Sequence, residues 1–538
     1  MSDSSECART LIGQLLAQGV TDFVLAPGSR SAPLALCLDA SAAAGLLRLH
    51  VRVDERAAGF LALGLAKGSG RCVAVVTTSG TAVGNLLPAV MEAHHAGIPL
   101  LVISADRPSW LVGFGANQTT EQAGIFGGFL SYSARVSASA PANAWMAQSA
   151  RAVLLATGAT RGRRGPAHLN VELAEPLVAA GQEWVAIQAC PVLTGPPAAA
   201  EPVRLSGAKR SLVLCGDAEP ALGRVAVALA ESAGLPLVAE PSSNARLGTS
   251  AVATGRLLLA AELGEQVERV LVFGRPTLSR PVNALLSRTG VEVVVVTDRS
   301  DFVDPGWRTS LVVAAVEVEP GPADWLAAWR LADADRSRRV VALSRSHGDL
   351  SGPELARLVI SAVPSDQVLC LGNSNAIRDA DLAPIGAETP ATYANRGLSG
   401  IDGTVSTAIG ISLATARPTT LLCGDLSFVL DAAALVIGPG EPRPELRIVV
   451  ADDGGGSIFA TLEYGRPEFA ESFERVFATP TGLDLVSLAA GYGVPARRVE
   501  TTAQLAAALA SPISGLEVLV VTVDRAGRAE LARQLNQP

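Results

Sequence analysis

The 538-residue sequence has little histidine, little lysine, few aromatic residues and no long apolar run. Its five histidines leave little material for metal sites or charge relays built on imidazole. No apolar stretch reaches the roughly 18–20 residues that span a membrane, and the N-terminal residues lack the basic-then-apolar pattern of a signal peptide. We therefore expect a cytoplasmic protein that does not insert into membranes.

The cysteine pattern and the net charge argue against two further classes of protein, namely disulfide- or zinc-stabilised proteins and nucleic-acid-binding proteins. Seven cysteines are scattered along the chain without a C-x-x-C pair, which argues against a disulfide framework or a zinc site and predicts reduced, mostly buried thiols. The formal net charge of −8 argues against nucleic acid as a partner. We expect the ligands to be small molecules.

The sequence is rich in apolar residues, which make up 49% of the chain against 17% charged residues. The chain is too long for one core, and short β-branched runs alternate with Ala/Leu-rich helical patterns throughout. This alternation is typical of an α/β fold with parallel sheets covered by helices. Residues 180–207 and 317–353 break the pattern, so we predict three α/β domains with central parallel sheets, over 1–185, 205–345 and 350–538.

Two acidic residues follow predicted strands in the third domain. Asp425 ends the run "LLCGD", and Asp453 lies 28 residues later in "VVADDGGGSIF". That interval fits a strand–helix–strand crossover, which places both acids at the ligand-binding edge of a parallel sheet. Carboxylates beside bare glycine backbone suit a hard cation such as Mg²⁺ with a bulky anion close by. Read alone, the same residues fit an ordinary Asp-Gly turn equally well.

The spacing of these acids resembles the metal and diphosphate signature of the thiamine-diphosphate-dependent enzymes. The resemblance implies that Asp425, Asp453 and the carbonyl of Gly455 hold Mg²⁺ or Mn²⁺. Two positions depart from the usual pattern, because Leu426 replaces a glycine and Asp453 replaces an asparagine. The cofactor contacts that the resemblance implies elsewhere are Ser29, Glu55, Ile401, Gly424, Asp425, Leu426, Ser427, Gly455, Gly456, Ile458 and Phe459.

A second segment that resembles the thiamine-diphosphate-dependent enzymes lies in the first domain, where Glu55 begins the apolar helical pattern "ERAAGFLALGLAKG". An acid at this place is also explained by the helix dipole, at about 0.3–1 kcal/mol. The resemblance implies instead that Glu55 hydrogen-bonds the aminopyrimidine ring of the cofactor. It also implies the pyruvate-oxidase/decarboxylase-like architecture, with an N-terminal pyrimidine-binding domain and a C-terminal diphosphate-binding domain. The implied assembly is a homodimer or a dimer of dimers with active sites at the subunit interface.

Lys67 and Lys209 are the only lysines of the chain. A GC-rich genome explains such an excess of arginine over lysine, so we assign a functional role only to arginines whose local sequence supports it. Five arginines at predicted strand ends or loops suit substrates rich in carboxylates. The segments "PGSRSAPL", "ADRP", "GANQ" and "NRGLSGIDG" resemble the menaquinone-pathway synthases within the thiamine-diphosphate enzymes. These synthases decarboxylate 2-oxoglutarate and add the succinyl-semialdehyde carbanion to isochorismate. By this resemblance Arg378 and Ser374 hold the succinyl carboxylate, and the residues that meet isochorismate are Arg30, Arg107, Gln118, Arg280 and Arg396.

Two alternatives remain at the level of the sequence. One is another thiamine-diphosphate decarboxylase or carboligase, such as an acetohydroxyacid synthase, which would not need this set of arginines. The other is a non-catalytic regulatory relative, which the departures from the usual pattern at Leu426 and Asp453 suggest. Retention of Glu55 and of both candidate metal acids speaks against the second.

Overall fold

The computed structural model describes residues 3–160, 162–178, 181–195, 200–347 and 350–537. Strands rich in valine, leucine and isoleucine alternate with helices along these ranges. The strands are β1 (Asp22–Leu25), β2 (Arg48–Val51), β3 (Val73–Thr77), β4 (Leu100–Asp106), β5 (Tyr132–Ser137), β6 (Ala167–Glu172), β7 (Val203–Leu205), β8 (Ser211–Cys215), β9 (Leu237–Ala239), β10 (Arg269–Phe273), β11 (Glu292–Val296), β12 (Thr309–Val313), β13 (Val316–Val318), β14 (Val368–Leu371), β15 (Ala391–Ala394), β16 (Thr419–Gly424), β17 (Leu446–Asp452), β18 (Ala496–Val499) and β19 (Leu516–Thr522).

The helices lie mostly between consecutive strands, as parallel pairing requires. They are α1 (Asp3–Ala17), α2 (Ala32–Ala43), α3 (Glu55–Ser69), α4 (Thr81–Gly84), α5 (Leu87–Ala96), α6 (Ala142–Ala156), α7 (Pro220–Ala233), α8 (Gly255–Leu259), α9 (Glu262–Glu265), α10 (Arg280–Ser287), α11 (Trp325–Ser346), α12 (Gly352–Ala362), α13 (Asn375–Ala380), α14 (Thr404–Thr415), α15 (Asp425–Leu430), α16 (Ala470–Phe473), α17 (Leu485–Gly491), α18 (Thr502–Ala510) and α19 (Arg528–Asn536).

The chain groups into two compact units. The first consists of Met1–Pro197, Gly397–Ala416 and Leu430–Glu445. It contains a parallel six-stranded sheet in the order β2-β1-β3-β4-β6-β5. The strands β3, β4 and β6 are buried along their whole length. The sequences of β3 and β4 accordingly begin as continuous apolar runs, whereas β6 alternates apolar residues with the polar residues His168, Asn170 and Glu172.

Helices α3 and α14 of this unit pack closely through glycines. A Cβ atom added at Gly64 would lie 2.2 Å from the carbonyl oxygen of Thr407, and one added at Gly410 would lie 2.4 Å from that of Leu61. Helix α3 begins where the Asp54 side chain accepts the N–H of Ala57 at 2.7 Å. This packing fixes the helix whose first residue is the candidate cofactor acid.

The second unit consists of Ala198–Arg396, Arg417–Val429 and Leu446–Pro538. It holds a parallel five-stranded sheet in the order β12-β11-β10-β8-β9 and a parallel six-stranded sheet in the order β15-β14-β16-β17-β19-β18. Strands β7 and β13 form a further parallel pair. Strands β16 and β17 are direct neighbours, with Gly424 opposite Ala451, so their carboxyl ends meet at one edge of the sheet.

The predicted α/β class with parallel sheets is confirmed. The three domain ranges remain a prediction, and the predicted connections 180–207 and 317–353 lie partly outside the described residues, at 180, 196–199 and 348–349. Six of the seven free cysteines are buried, and Cys190 is exposed. Among the helices of the described ranges, none combines the length and the apolar character needed to cross a membrane.

Because the Cβ atom of alanine at position 64 would meet backbone, we expect Gly64→Ala to lower stability by about 1–3 kcal/mol or more. The measurement is the Tm by calorimetry or circular dichroism. The control is Gly491→Ala at the end of α17, where nothing lies within 4 Å of an added Cβ atom. That change should be neutral or stabilising by up to about 1 kcal/mol. A Gly64→Ala protein as stable as the control would contradict the packing described above.

Candidate active site

Two carboxylates converge at the shared carboxyl edge of β16 and β17. Asp425 follows the last residue of β16 and begins α15, where its Oδ1 accepts the N–H of Leu426 at 2.7 Å. Asp453 follows β17 directly and accepts a short hydrogen bond from the hydroxyl of Ser457. The side chain of Asn375 donates to that same hydroxyl at 2.6 Å. The Asp453 carboxylate is therefore oriented by two successive polar side chains.

The two carboxylates lie in an environment that disfavours negative charge. Burial, followed by the charge of Asp453, raises the pKa of Asp425 to about 7. Burial raises the pKa of Asp453 to about 6, against the opposing effects of the Ser457 hydroxyl and of Arg528. A nearby cation would reverse both shifts, because it favours the ionised form of each acid.

The donor set fits a hard divalent cation. Asp425 and Asp453 offer carboxylate oxygens, and the Gly455 carbonyl accepts the N–H of Ser457 at 2.9 Å. A carbonyl oxygen has a second lone pair for a metal ion. Across the described ranges no three histidine, cysteine or acidic side chains are arranged to hold a metal. A cation at this edge would therefore take further ligands from a substrate or cofactor, as Mg²⁺ usually does with phosphates.

The glycines beside Asp453 serve close backbone packing. A Cβ atom at Gly455 would lie 2.2 Å from the carbonyl oxygen of Ala478, and that oxygen accepts the N–H of Gly456 at 2.6 Å. Gly454 and Gly455 also have φ angles of +71° and +128°, which favour glycine. The sequence predicts that these glycines admit an anion and supply the Gly455 carbonyl as a metal ligand, and the structure adds this packing requirement.

Asp452, the acid next to the candidate ligand, has a separate partner. Its carboxylate lies 3.2 Å from a guanidinium nitrogen of Arg498. Arg528, whose charge opposes the rise that burial causes in the pKa of Asp453, forms two hydrogen bonds with Asp379, at 2.7 and 2.8 Å. The two adjacent acids therefore have different partners, since Asp452 pairs with Arg498 and Asp453 accepts from Ser457.

The remaining predicted cofactor contacts of the second unit surround this edge. Leu426 is half-buried and Ser427 is buried on α15. Ile458 and Phe459 lie half-buried on a short turn that follows Gly456, and the ring of Phe459 lies 5.9 Å from that of Phe477. These residues are near the acids in the chain, and their contact with a cofactor stays a prediction.

The first unit holds Glu55, Ser29 and Ile401. Glu55 is half-buried at the start of α3, and the amide nitrogen of Asn85 lies 3.4 Å from its Oε2. Ser29 is exposed in the loop after β1. Ile401 is half-buried, and its carbonyl accepts the hydroxyl of Thr404 at 3.0 Å. Glu55 therefore has one weak polar partner and a carboxylate available to a ligand.

Arg107 and Gln118 are brought together in the first unit. The Nη1 of Arg107 donates to the Ser79 hydroxyl at 2.8 Å and to the Gln118 carbonyl at 3.0 Å. The Nε2 of Gln118 donates to the Ser79 carbonyl at 2.8 Å. Burial, followed by the nearby charge of Arg30, lowers the pKa of Arg107. Two guanidinium groups that repel each other favour an anionic ligand between or beside them.

The three predicted arginines of the second unit differ in their exposure and in their polar partners. Arg396 is buried and donates to Asn373 at 2.7 Å and to the Thr277 hydroxyl at 3.0 Å. Arg378 is exposed, and its Nη1 donates to the carbonyl of Ser374 at 2.9 Å. Arg280 is largely exposed at the start of α10, 3.9 Å from Glu463. The structure thus connects Ser374 with Arg378 and leaves Arg280 with one long ion pair.

Known families match both ends of the chain, and known proteins match nearly all of it. Residues 6–125 match the family described as "Thiamine pyrophosphate enzyme, N-terminal TPP binding domain", and residues 381–523 match its C-terminal TPP binding domain. A 2-succinyl-5-enolpyruvyl-6-hydroxy-3-cyclohexene-1-carboxylate synthase from Kineococcus radiotolerans is 48% identical over 98% of this chain and 97% of its own length. This chain belongs to that synthase family. Synthases of the same name from Nocardioides sp. and Paenarthrobacter aurescens are 47% and 44% identical, over 98% of this chain and 96% of each relative.

Membership in this synthase family confirms the predicted class of thiamine-diphosphate-dependent transferase. The two matched segments include the sequence-predicted acids at both ends, with Glu55 in the first and Asp425 and Asp453 in the second. Residues 126–380 lie between the two matched segments, and they include the middle domain, where the sequence resemblance is thin.

Sequence reasoning missed a buried acid in that middle region of the synthase. Glu240 follows β9 and is 4% exposed, and its Oε1 accepts the backbone N–H groups of Thr277 and Leu278 at 2.9 and 2.8 Å. Its Oε2 has no hydrogen-bond partner among the described residues. The carboxyl therefore fixes the loop whose Thr277 hydroxyl holds Arg396. The only signal in the sequence was an acid directly after the short apolar run "LPLVA".

We expect Glu240→Gln to become more stable than the wild type as pH rises. Burial raises the pKa of Glu240 from 4.5 to about 8, and the carboxylates of Asp217 and Asp381 add to that rise against Arg396. Between these pH values the folded protein holds the proton more tightly than the unfolded chain does, so wild-type stability falls as pH rises. Glutamine keeps an oxygen for the two N–H groups and cannot ionise.

The measurement is the Tm of both proteins from pH 5 to pH 8.5. The two values should be similar at pH 5 and should diverge in favour of Glu240→Gln at pH 8.5. Glu262→Gln, which changes an exposed acid, is the matched control and should follow the wild type. A constant difference across the pH range would contradict the raised pKa.

Proposed function

We propose that this enzyme decarboxylates 2-oxoglutarate and adds the remaining four-carbon unit to isochorismate in 1,4 fashion. The products would be CO₂ and 2-succinyl-5-enolpyruvyl-6-hydroxy-3-cyclohexene-1-carboxylate, in menaquinone biosynthesis. The observation that supports this most directly is the similarity, over 98% of the chain, to relatives that carry the name of this synthase. The arginines and the two acids described above agree with that reaction in their chemistry.

We propose that Asp425, Asp453 and the Gly455 carbonyl hold Mg²⁺ or Mn²⁺, and through it the diphosphate of the cofactor. Both ions accept oxygen donors of this kind. Thiamine diphosphate, when bound, supplies a carbon nucleophile and an electron sink for decarboxylation. Glu55 would hold the pyrimidine ring of the cofactor by a hydrogen bond and so control the protonation of that ring. No histidine is required for this chemistry, in agreement with the composition.

The arginines would bind two substrates that carry two carboxylates each. A guanidinium binds a carboxylate through two parallel hydrogen bonds, which fixes both position and orientation. In this proposal Arg378 with Ser374 binds the distal carboxylate of 2-oxoglutarate, and Arg107 with Gln118 contacts isochorismate. Arg30, Arg280 and Arg396 would meet the second substrate and the charge that develops during addition. We further propose a cytoplasmic homodimer or dimer of dimers, which the family resemblance supports.

The direct test is an assay of the purified enzyme with thiamine diphosphate, Mg²⁺, 2-oxoglutarate and isochorismate. CO₂ release should be coupled to loss of isochorismate and to formation of the synthase product, identified by mass spectrometry. Release of succinic semialdehyde without consumption of isochorismate would favour a simple 2-oxoacid decarboxylase. A folded enzyme that forms no product under these conditions would contradict the proposed reaction.

We expect Glu55→Gln to lower kcat by about 10²–10⁴-fold, because glutamine cannot exchange a proton with the cofactor ring. Binding of thiamine diphosphate in the presence of Mg²⁺, measured by titration calorimetry, should remain close to the wild-type value. Glu262→Gln is the matched control and should keep full activity. Loss of cofactor binding in Glu55→Gln would instead indicate a structural role for Glu55.

We expect Arg378→Ala to raise the KM for 2-oxoglutarate by about 10–100-fold, the loss associated with a hydrogen-bonded charged group. The KM for isochorismate should change much less, since the proposal assigns that substrate to other arginines. Steady-state kinetics with each substrate varied in turn measures both values. The control is Arg224→Ala on the exposed face of α7. A larger effect on isochorismate would reverse the assignment of the two substrates.

A further inference from the structure

A buried polar network lies beneath the contacts that hold Arg107 and Gln118. We call it the Gln122 network, and it belongs entirely to the first unit. Every one of its side chains is at most 1% exposed. Its members are Gln122 on the loop after β4, Ser104 and Asp106 on β4, and His168 and Asn170 on β6. None of these residues has a role in the proposed function.

The orientation of the Gln122 amide is fixed by its partners. Its Nε2 donates to the carbonyl of Ala105 at 3.1 Å and to the Oδ1 of Asn170 at 2.7 Å. A backbone carbonyl only accepts hydrogen bonds, so the nitrogen must face Ala105. The oxygen of the amide therefore faces Gly80, whose backbone N–H it accepts at 3.0 Å.

The rest of the network holds Gln122 in that orientation. Because the Oδ1 of Asn170 accepts from Gln122 and from the Ser104 hydroxyl at 3.0 Å, its Nδ2 donates to Asp106 at 2.9 Å. The Ser104 hydroxyl in turn accepts from the Nε2 of His168 at 2.7 Å. Burial lowers the pKa of His168 to about 3, so the imidazole is neutral. Because Ser104 donates its only hydroxyl proton to Asn170, the Nε2 of His168 must be the donor to Ser104. Every hydrogen bond in the series has a defined direction.

The Ser79–Gly80 turn connects the network to the candidate substrate residues. Gly80 has a φ of +80°, and a Cβ atom added there would lie 3.0 Å from Cγ of Gln118. Ser79 uses its hydroxyl for Arg107 and for the Gln118 carbonyl, and its own carbonyl for the Gln118 amide. Asp106 also accepts the backbone N–H of Arg107 at 2.8 Å. The network thus fixes Arg107 at its backbone directly and at its guanidinium through the turn.

A purely structural interpretation is that the network satisfies buried polar groups between two strands. That interpretation explains Ser104, His168 and Asn170, which link β4 with β6. It does not explain why Gln122 uses its only acceptor atom for the N–H of Gly80, one residue from Ser79. We propose that Gln122 is a positioning residue, which holds the Ser79–Gly80 turn so that Arg107 and Gln118 bind isochorismate. This inference rests on the proposed function, which assigns isochorismate to those two residues.

The test is Gln122→Met, which conserves the length of the side chain and removes its hydrogen bonds. We expect the KM for isochorismate to rise by at least about tenfold, the effect of one lost hydrogen bond to a buried group. The KM for 2-oxoglutarate and the affinity for thiamine diphosphate with Mg²⁺ should stay within about twofold of the wild type, because the variant leaves their residues untouched. Gln148→Met is the matched control, since Gln148 donates one hydrogen bond, to the carbonyl of Arg135 at 3.1 Å.

If Gln122→Met does not fold, Gln122→Asn takes its place, because it keeps the amide but is one methylene too short to reach the N–H of Gly80. A variant of the turn is then combined with whichever Gln122 variant folds. Ser79→Ala removes one hydroxyl and should raise the same KM for isochorismate selectively. If Gln122 acts through this turn, the double variant should raise that KM by less than the product of the two single effects. Independent, multiplicative effects would overturn the inference, and so would a folded Gln122→Met enzyme with the wild-type KM or with equal losses for both substrates. A wild-type enzyme that does not consume isochorismate would contradict the proposed function itself.

Discussion

The removal of two carboxylates, Asp425 and Asp453, from water at one sheet edge is the constraint on which the candidate site depends. Parallel pairing of β16 with β17 brings the two acids to one edge, and burial there raises the pKa of both. Within the described contacts, hydrogen bonds from Leu426 and Ser457 offset only part of that cost. A divalent cation would offset the rest, which ties the metal, the diphosphate and the fold of the second unit together.

Each unit holds a different set of candidate site residues. The first unit fixes α3, and with it Glu55, through the glycine packing against α14. It also holds the guanidinium of Arg107 against the Ser79–Gly80 turn, which a fully buried polar network supports. The second unit holds the acidic edge and the buried Arg396, whose Thr277 partner is anchored by Glu240. In both units the candidate site residues lie on loops or helix ends, and buried strands fix their positions.

The α/β class was predictable because buried parallel strands have a distinct composition and recurrence. The convergence of Asp425 and Asp453 was predictable from their spacing, since a crossover of that length joins neighbouring strands. The support around them was not, because it joins distant residues without a sequence pattern. Asn375 reaches Ser457 across 82 residues and Glu240 reaches Leu278 across 38. The packing role of Gly455 was not predictable either, since the backbone of Ala478 lies where a side chain at that position would be.

The central claim is that Asp425 and Asp453, rather than an ordinary acidic turn, hold a metal and through it the cofactor. Titration calorimetry of thiamine diphosphate, with and without Mg²⁺, tests this most directly on the wild type and on alanine variants of three acids. Binding should require Mg²⁺ in the wild type, should be lost in Asp425→Ala and Asp453→Ala, and should persist in Asp452→Ala, whose partner is Arg498. Cofactor binding that survives removal of Mg²⁺ or of Asp425 would contradict the account.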